Sequence, residues 1–227
     1  WESQSNASFE TSTSMANYER PRKSGKPKKS KKDTPPGVIA KIIPAILEEK
    51  VLSDEIDFRE GRKPMRFVDF VKDFFLRRYG LKELAQKQHT EFINGLDKHH
   101  NVNDRLRMFS VIVGVIQFAP EVQFTDFLPE CYCRALALLL PHNKITELMN
   151  NKEYLVEVDV CFSVMDHMLP PGSPLAPQRS LRELILSKAR TGKHVPTPGL
   201  LVEDILVLLV GEMLIVSGRM PPSSAPV

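Results

Sequence analysis

With 227 residues, 42% of them hydrophobic, the chain can form one large domain or two small ones and is apolar enough to pack a core, which excludes a wholly disordered polyelectrolyte. Its net charge of +3 is unevenly placed: residues 1–36 hold eight Lys/Arg and four acids, a net +4, and the other 23 basic and 24 acidic residues leave positions 37–227 at −1. A folded face of clustered Lys and Arg, the usual mark of a nucleic-acid-binding domain, is therefore not expected in the body.

The first nineteen residues, "WESQSNASFETSTSMANYE", are Ser/Thr-rich and lack helical periodicity. The next thirteen, "RPRKSGKPKKSKK", contain Arg20, Arg22, Lys23, Lys26, Lys28, Lys29, Lys31 and Lys32. Together they predict a disordered basic leader over 1–36, closed by Pro35-Pro36-Gly37. The leader is polar throughout, so no signal peptide is read in it, and a start at Trp1 suggests part of a longer protein. Clustered Lys on a flexible segment binds polyanions by charge neutralisation without reading sequence. The candidates are nucleic acid, acidic lipid and the acidic C-terminal tails of tubulin. Lys outnumbers Arg and no aromatic is interleaved, so base stacking is not expected. Against these stands the plain reading of a solvated linker or a nuclear-localisation string. Ser24, Ser30 and Thr34-Pro35 are phosphorylation positions that would lower the positive charge.

Apolar spacing of 3 and 4 predicts a helix over 38–52, with Pro44 either kinking it or starting it, and a polar connector, "SDEIDFREGRKP", after it. Residues 65–80 form an amphipathic helix with Phe67, Phe70, Val71, Phe74, Phe75 and Leu76 as its stripe, stopped at Gly80. A helix over 81–99 places Leu81, Leu84, Ala85, Phe92 and Leu96 on one face. Asn103 caps a helix over 103–118, although five β-branched residues in 110–116 leave a strand open. Thr125 or Asp126 caps the next, which Pro141 breaks, and "KITELMN" is a short one. Residues 152–168 read as a helix, with the alternating stretch 154–162 open to a strand. A Pro-rich linker over 170–179 leads to a capping box, Ser180 to Glu183, whose helix runs to about Arg190. "TGKHVPTPG" reads as a loop before a last helix over 200–217, and 219–227 as a disordered tail. Glu203, Asp204 and Glu212 interrupt that last apolar stretch, so it is expected to be a buried helix of a soluble protein and not a membrane span. The expected fold is all-α: an irregular bundle of about eight helices, with 37–169 as its main body and a C-terminal helical pair over 180–218 packed on it.

No catalytic signature stands out. Phosphate-loop, dinucleotide and nucleophile-elbow patterns are missing, and "SDEIDFRE" lacks the central Gly of a calcium loop. His89, His99, His100, His142, His167 and His194 show no metal-ligand spacing. Cys131, Cys133 and Cys161, odd in number and set in apolar helices, read as structural thiols in a reducing compartment. The aromatic stripe is core or a docking face. As a docking set the candidates are Phe67, Phe70, Phe74 and Tyr79 with Arg77 and Arg78. No cofactor, metal or small-molecule substrate is expected.

One stretch carries a resemblance. Tyr79-Gly80-Leu81-Lys82, then Leu84-Ala85-Gln86-Lys87, then Arg105-Leu106-Arg107-Met108-Phe109 occur within 67–115. That segment resembles helical segments of axonemal and ciliary scaffold proteins such as the translin-associated factor X-interacting family. The resemblance implies an assembly role, with Gly80 as a helix stop and Leu84 and Phe109 as core, and it brings no catalytic residue. The expected function is a non-enzymatic interaction domain of a microtubule-based, ciliary or flagellar assembly. Its Lys-rich leader would be drawn to an acidic surface such as tubulin. The alternative is a nuclear or nucleic-acid-associated adaptor whose leader binds DNA or RNA.

Overall fold

Pro35 and Pro36 set the start of the first helix, α1 (Pro36–Arg59), where a proline's missing N–H falls among donors that have no helical partner anyway. The computed structural model describes residues 33–116, 127–169, 179–192 and 195–216. The basic strip 20–32, Thr125 and Asp126, the linker residues 170–178 and the tail 219–227 lie outside the described residues.

Helix α1 runs through Pro44 and on through Ser53–Arg59, which the sequence assigned to a connector. Two i,i+4 ion pairs, Lys50–Asp54 and Glu55–Arg59, stitch this polar half together, and the helix ends before Gly61 at φ 67°. Polarity alone had hidden a helix continued by side-chain pairing. Proline at 44 cannot donate, so the carbonyl of Ala40, four residues earlier, loses its helical partner. Arg105 Nη1 donates to that carbonyl at 2.9 Å. The helix thus crosses the proline because another element satisfies the carbonyl it orphans.

Helix α2 (Phe67–Tyr79) stops at Gly80, whose positive φ of 70° suits a glycine and lets the Leu81 amide donate back to the Tyr79 carbonyl. Helix α3 (Lys82–His99) returns beside it. In α4 (Asp104–Ile112) the cap is as the sequence indicates: Asn103 Oδ1 accepts from the Leu106 amide at 2.9 Å. The β-branched run does not extend α4 to residue 118, nor does it form a strand; the helix ends at Ile112 and turns at Gly114, φ 75°. Then come α5 (Phe127–Leu139), a 3₁₀ turn (His142–Lys144), α6 (Ile145–Asn150), the two-residue strand β1 (Val156–Glu157) and α7 (Val158–Met168). Helix α8 (Arg179–Lys188) starts one residue before Ser180, so the expected capping serine lies inside the helix and not at its cap, and α9 (Val202–Val216) is the last.

The expected loop 191–199 is a strand pair instead. Strands β2 (Arg190–Gly192) and β3 (Val195–Leu200) are antiparallel, with Arg190 opposite Gly199 and Gly192 opposite Val195, and β1 joins through Val156–Leu200 and Glu157–Gly199. Pro196 and Pro198 read as loop because neither can donate to a ladder. Both lie before the two residues that β1 pairs with, so neither has to donate there. Gly199 is needed for the close approach: a Cβ there would meet the Val156 carbonyl at 2.7 Å.

The result is an all-α bundle, with nine α-helices among the described residues and this small sheet at one place. Helix α1 lies at its centre and packs on α2 to α6, with Ile39, Ile43, Ile46 and Leu47 fully buried. Aromatic pairs tie α2, α3 and α4 together: Phe67–Phe109 at 5.8 Å and Phe92–Phe109 at 5.9 Å, both edge-on, and Phe75–Phe92, tilted, at 5.2 Å. Helix α9 packs on α5 and α4 with Ile205, Leu206, Leu209 and Val210 buried. Among the described residues no helix is long and apolar enough to cross a membrane.

Candidate interaction surfaces

Phe67, Phe70 and Phe74 face inward, at 4%, 2% and 1% exposure, so they do not form a docking face. The reason is the stripe itself: α2 turns its aromatic side onto α1 and α3, and a 3–4 spacing serves a core as well as a groove. Tyr79 is half-buried and stacks on Phe75 at 6.1 Å. Arg77 lies 5.2 Å from the Phe70 ring centre and pairs with Asp73 at 2.8 Å and Glu49 at 3.0 Å. Arg78 is exposed and covers the outer face of Phe74 at 5.8 Å. The two arginines therefore roof the aromatic core.

Three leucines nearby are left in solvent. Leu76, outside the core although the sequence put it on the stripe, is 42% exposed; Leu81 and Leu84, expected on the buried face of α3, are 70% and 39% exposed. Leu81 is the residue before α3 and Leu84 lies in its first turn, at the junction with α2. Only Ala85, Phe92, Gly95 and Leu96 of α3 are buried.

Two cavities gather polar groups. One, of about 430 Å³, lies between α1, residues 63–67 and α5, with Phe58, 83% exposed, on its rim. Lys50, only 4% exposed, lines it while paired with Asp54 and placed 5.7 Å from the Phe70 ring centre; burial raises the Asp54 carboxyl above its ordinary range. His142 sits at its edge, one ring nitrogen 2.9 Å from Glu55 and the other 3.1 Å from the Ala137 carbonyl. The histidine contact, ahead of Arg59, holds the Glu55 carboxyl below its usual range. The Cys133 thiol on the wall is pushed up to about 12 by burial, as is that of Cys161, so at neutral pH both are thiols and poor nucleophiles.

The other cavity, of about 760 Å³, is lined by residues that meet at Arg105. Its guanidinium bonds Glu203 of α9 at 2.8 Å, the Ala40 carbonyl of α1 at 2.9 Å, and in α6 the Asn150 side chain at 3.0 Å and the Met149 carbonyl. Every donor direction is thereby turned to holding four helices together, and the group is not available to a ligand. The sequence singled out Arg105 only as part of a motif; Pro44 was the signal that a donor would be needed at Ala40. Among the described residues, no group of three or more His, Cys, Asp or Glu could hold a metal ion.

The expected polyanion-binding set, Arg20 to Lys32, lies outside the described residues, and the chain that follows it is anchored. The Thr34 amide donates to the Glu91 carbonyl at 3.0 Å, and Asp33 pairs with Lys98 at 2.8 Å. The closeness requires Gly95, where a Cβ would meet the Thr34 carbonyl at 2.5 Å. Residues 33–35, assigned to the leader, therefore belong to the surface of α3. No family model, no curated protein and no solved structure matches the chain.

Proposed function

We propose that the chain is a non-enzymatic interaction domain of a microtubule-based scaffold, of the ciliary or flagellar kind, whose Lys-rich leader adds attraction to an acidic surface. The observation that carries this reading is the segregation of charge, +4 in residues 1–36 against −1 in the rest. The folded body supports it by consuming its own charges. Arg62 pairs with Asp57, Lys72 with Asp69, Arg182 with Asp166 and Arg105 with Glu203. The densest run of positive charge is the strip 20–32, which carries eight cations and no acid. Tubulin's acidic tails are a polyanion of the right sign, and the motif in 79–87 and 105–109 resembles ciliary scaffold segments.

The test is co-sedimentation with microtubules of the intact chain and of a chain lacking residues 20–32, at low and moderate salt. Microtubules with cleaved tails serve as the control. The reading expects the intact chain to pellet at low salt, and the deletion or tail cleavage to abolish pelleting. Pelleting by neither chain overturns it. Displacement by a duplex oligonucleotide with no dependence on the tubulin tails would transfer the polyanion from tubulin to nucleic acid.

A further inference from the structure

The turn between α2 and α3 brings exposed leucines and exposed cations together. Leu76, Leu81 and Leu84 are exposed within nine residues of chain, and a leucine at 70% exposure forgoes most of the burial that would stabilise it. Around them residues 76–87 carry Arg77, Arg78, Lys82 and Lys87 against the single acid Glu83. Arg77 is engaged by Asp73 and Glu49, while Arg78, Lys82 and Lys87 are exposed. The backbone is already satisfied at the turn: the amides of Gly80, Leu81 and Ala85 donate to the carbonyls of Leu76, Tyr79 and Leu81. A partner cannot add a strand there, and recognition falls to side chains.

We propose that the α2–α3 turn is a docking surface for an acidic partner segment that presents apolar side chains at helical spacing. Leu81 and Leu84 would seat the apolar side chains, and Arg78 and Lys82 would pair with carboxylates flanking them. Charge complementarity decides the occupant. A second copy of the chain would bring the same cations against themselves, and like charges in contact oppose docking. The proposal rests on the interaction-domain reading, but it concerns the folded body and not the leader.

The probe is a labelled synthetic peptide with Leu at positions i, i+3, i+4 and i+7 and Glu at most others, tested on the full chain in 0.15 M salt. A scrambled peptide of identical composition controls for the leader, because its charge is the same and its apolar face is gone. The expected result is binding of the patterned peptide over the scrambled one. Leu81→Ser with Leu84→Ser, and separately Arg78→Glu with Lys82→Glu, should each weaken binding by about tenfold or more. Leu81 and Lys82 are exposed, so Leu81→Ser and Lys82→Glu alone should melt with the parent and still weaken binding, and a thermal scan separates this from any stability that Arg78→Glu loses over the Phe74 ring. Equal binding of both peptides, or patterned binding unchanged in the variants, overturns the proposal. Leu81-dependent pelleting on phosphatidylserine vesicles without peptide binding also overturns it, in favour of a lipid surface. Microtubule pelleting that survives any of these failures leaves the leader's role standing, so the two readings fail separately.

Discussion

Removing the Arg105 guanidinium would strand the Glu203 carboxylate and the Ala40 carbonyl at once, since each accepts from it. Both lie in part-buried surroundings where an unpaired group loses its water without replacement. Arg105→Ala is therefore expected to cost about 3 kcal/mol in a urea or guanidinium unfolding curve, the range for breaking one partner of a buried pair. The role of Pro44 gives a sharper version. An alanine at 44 supplies an amide to the Ala40 carbonyl, so Arg105→Ala in a Pro44→Ala background should cost less by about 1 kcal/mol, one hydrogen bond's net contribution. A double-mutant cycle reads that coupling directly. Additive costs would mean that the orphaned carbonyl is not what ties Arg105 to α1. Proline inside a helix was plain in the sequence, and the need it creates at i−4 was legible too; the identity of the donor was not, because it lies 65 residues away along the chain.

The contact between α2 and α3 contains a titratable group that the pairing of helices leaves half-buried. His89 packs edge-on to Phe75 at 5.6 Å, and burial, with Lys72 adding to it, lowers its pKa from the ordinary value. The folded chain then holds the neutral imidazole while the unfolded chain protonates at about 6.5. As pH falls through that value the unfolded state gains protons first, so the stability present above it is lost toward the lower folded value. Melting temperature should fall between about pH 7 and 5, and His89→Leu should flatten that part of the profile; an unchanged slope would sink the assignment. At this scale the sequence was read well where a local signal acts alone, as at the Asn103 cap and the Gly80 stop. It was misread where neighbours intervene. The polar half of α1 is helical through its own i,i+4 pairs, and the Pro-containing 195–200 is a strand whose prolines fall outside the β1 pairing and where the β2 register shifts. Leu81 and Leu84 keep the helix period yet stay outside, since periodicity assigns a face but not whether a neighbour covers it.

For the whole molecule, the proposed division of labour is between a body that selects and a leader that attracts. The strip 20–32 has no Val, Leu, Ile, Met or aromatic side chain, so it offers little to a hydrophobic core, and its contribution to binding should depend on charge and not on order. Replacing its six lysines, Lys23, Lys26, Lys28, Lys29, Lys31 and Lys32, by Arg keeps every charge; replacing them by Gln leaves only Arg20 and Arg22. Neither change should move the folding stability by more than about 0.5 kcal/mol, the usual limit for surface sites without special roles. Microtubule co-sedimentation should survive the Arg series and a shuffled strip, and fail in the Gln series. Because the screening length shortens from about 10 Å at 0.1 M salt to about 3 Å at 1 M, the parent's pelleting should also decline steeply with salt. A Gln series that pellets like the parent would show that the strip only tethers the domain, and the whole of the affinity would then have to come from the folded surface.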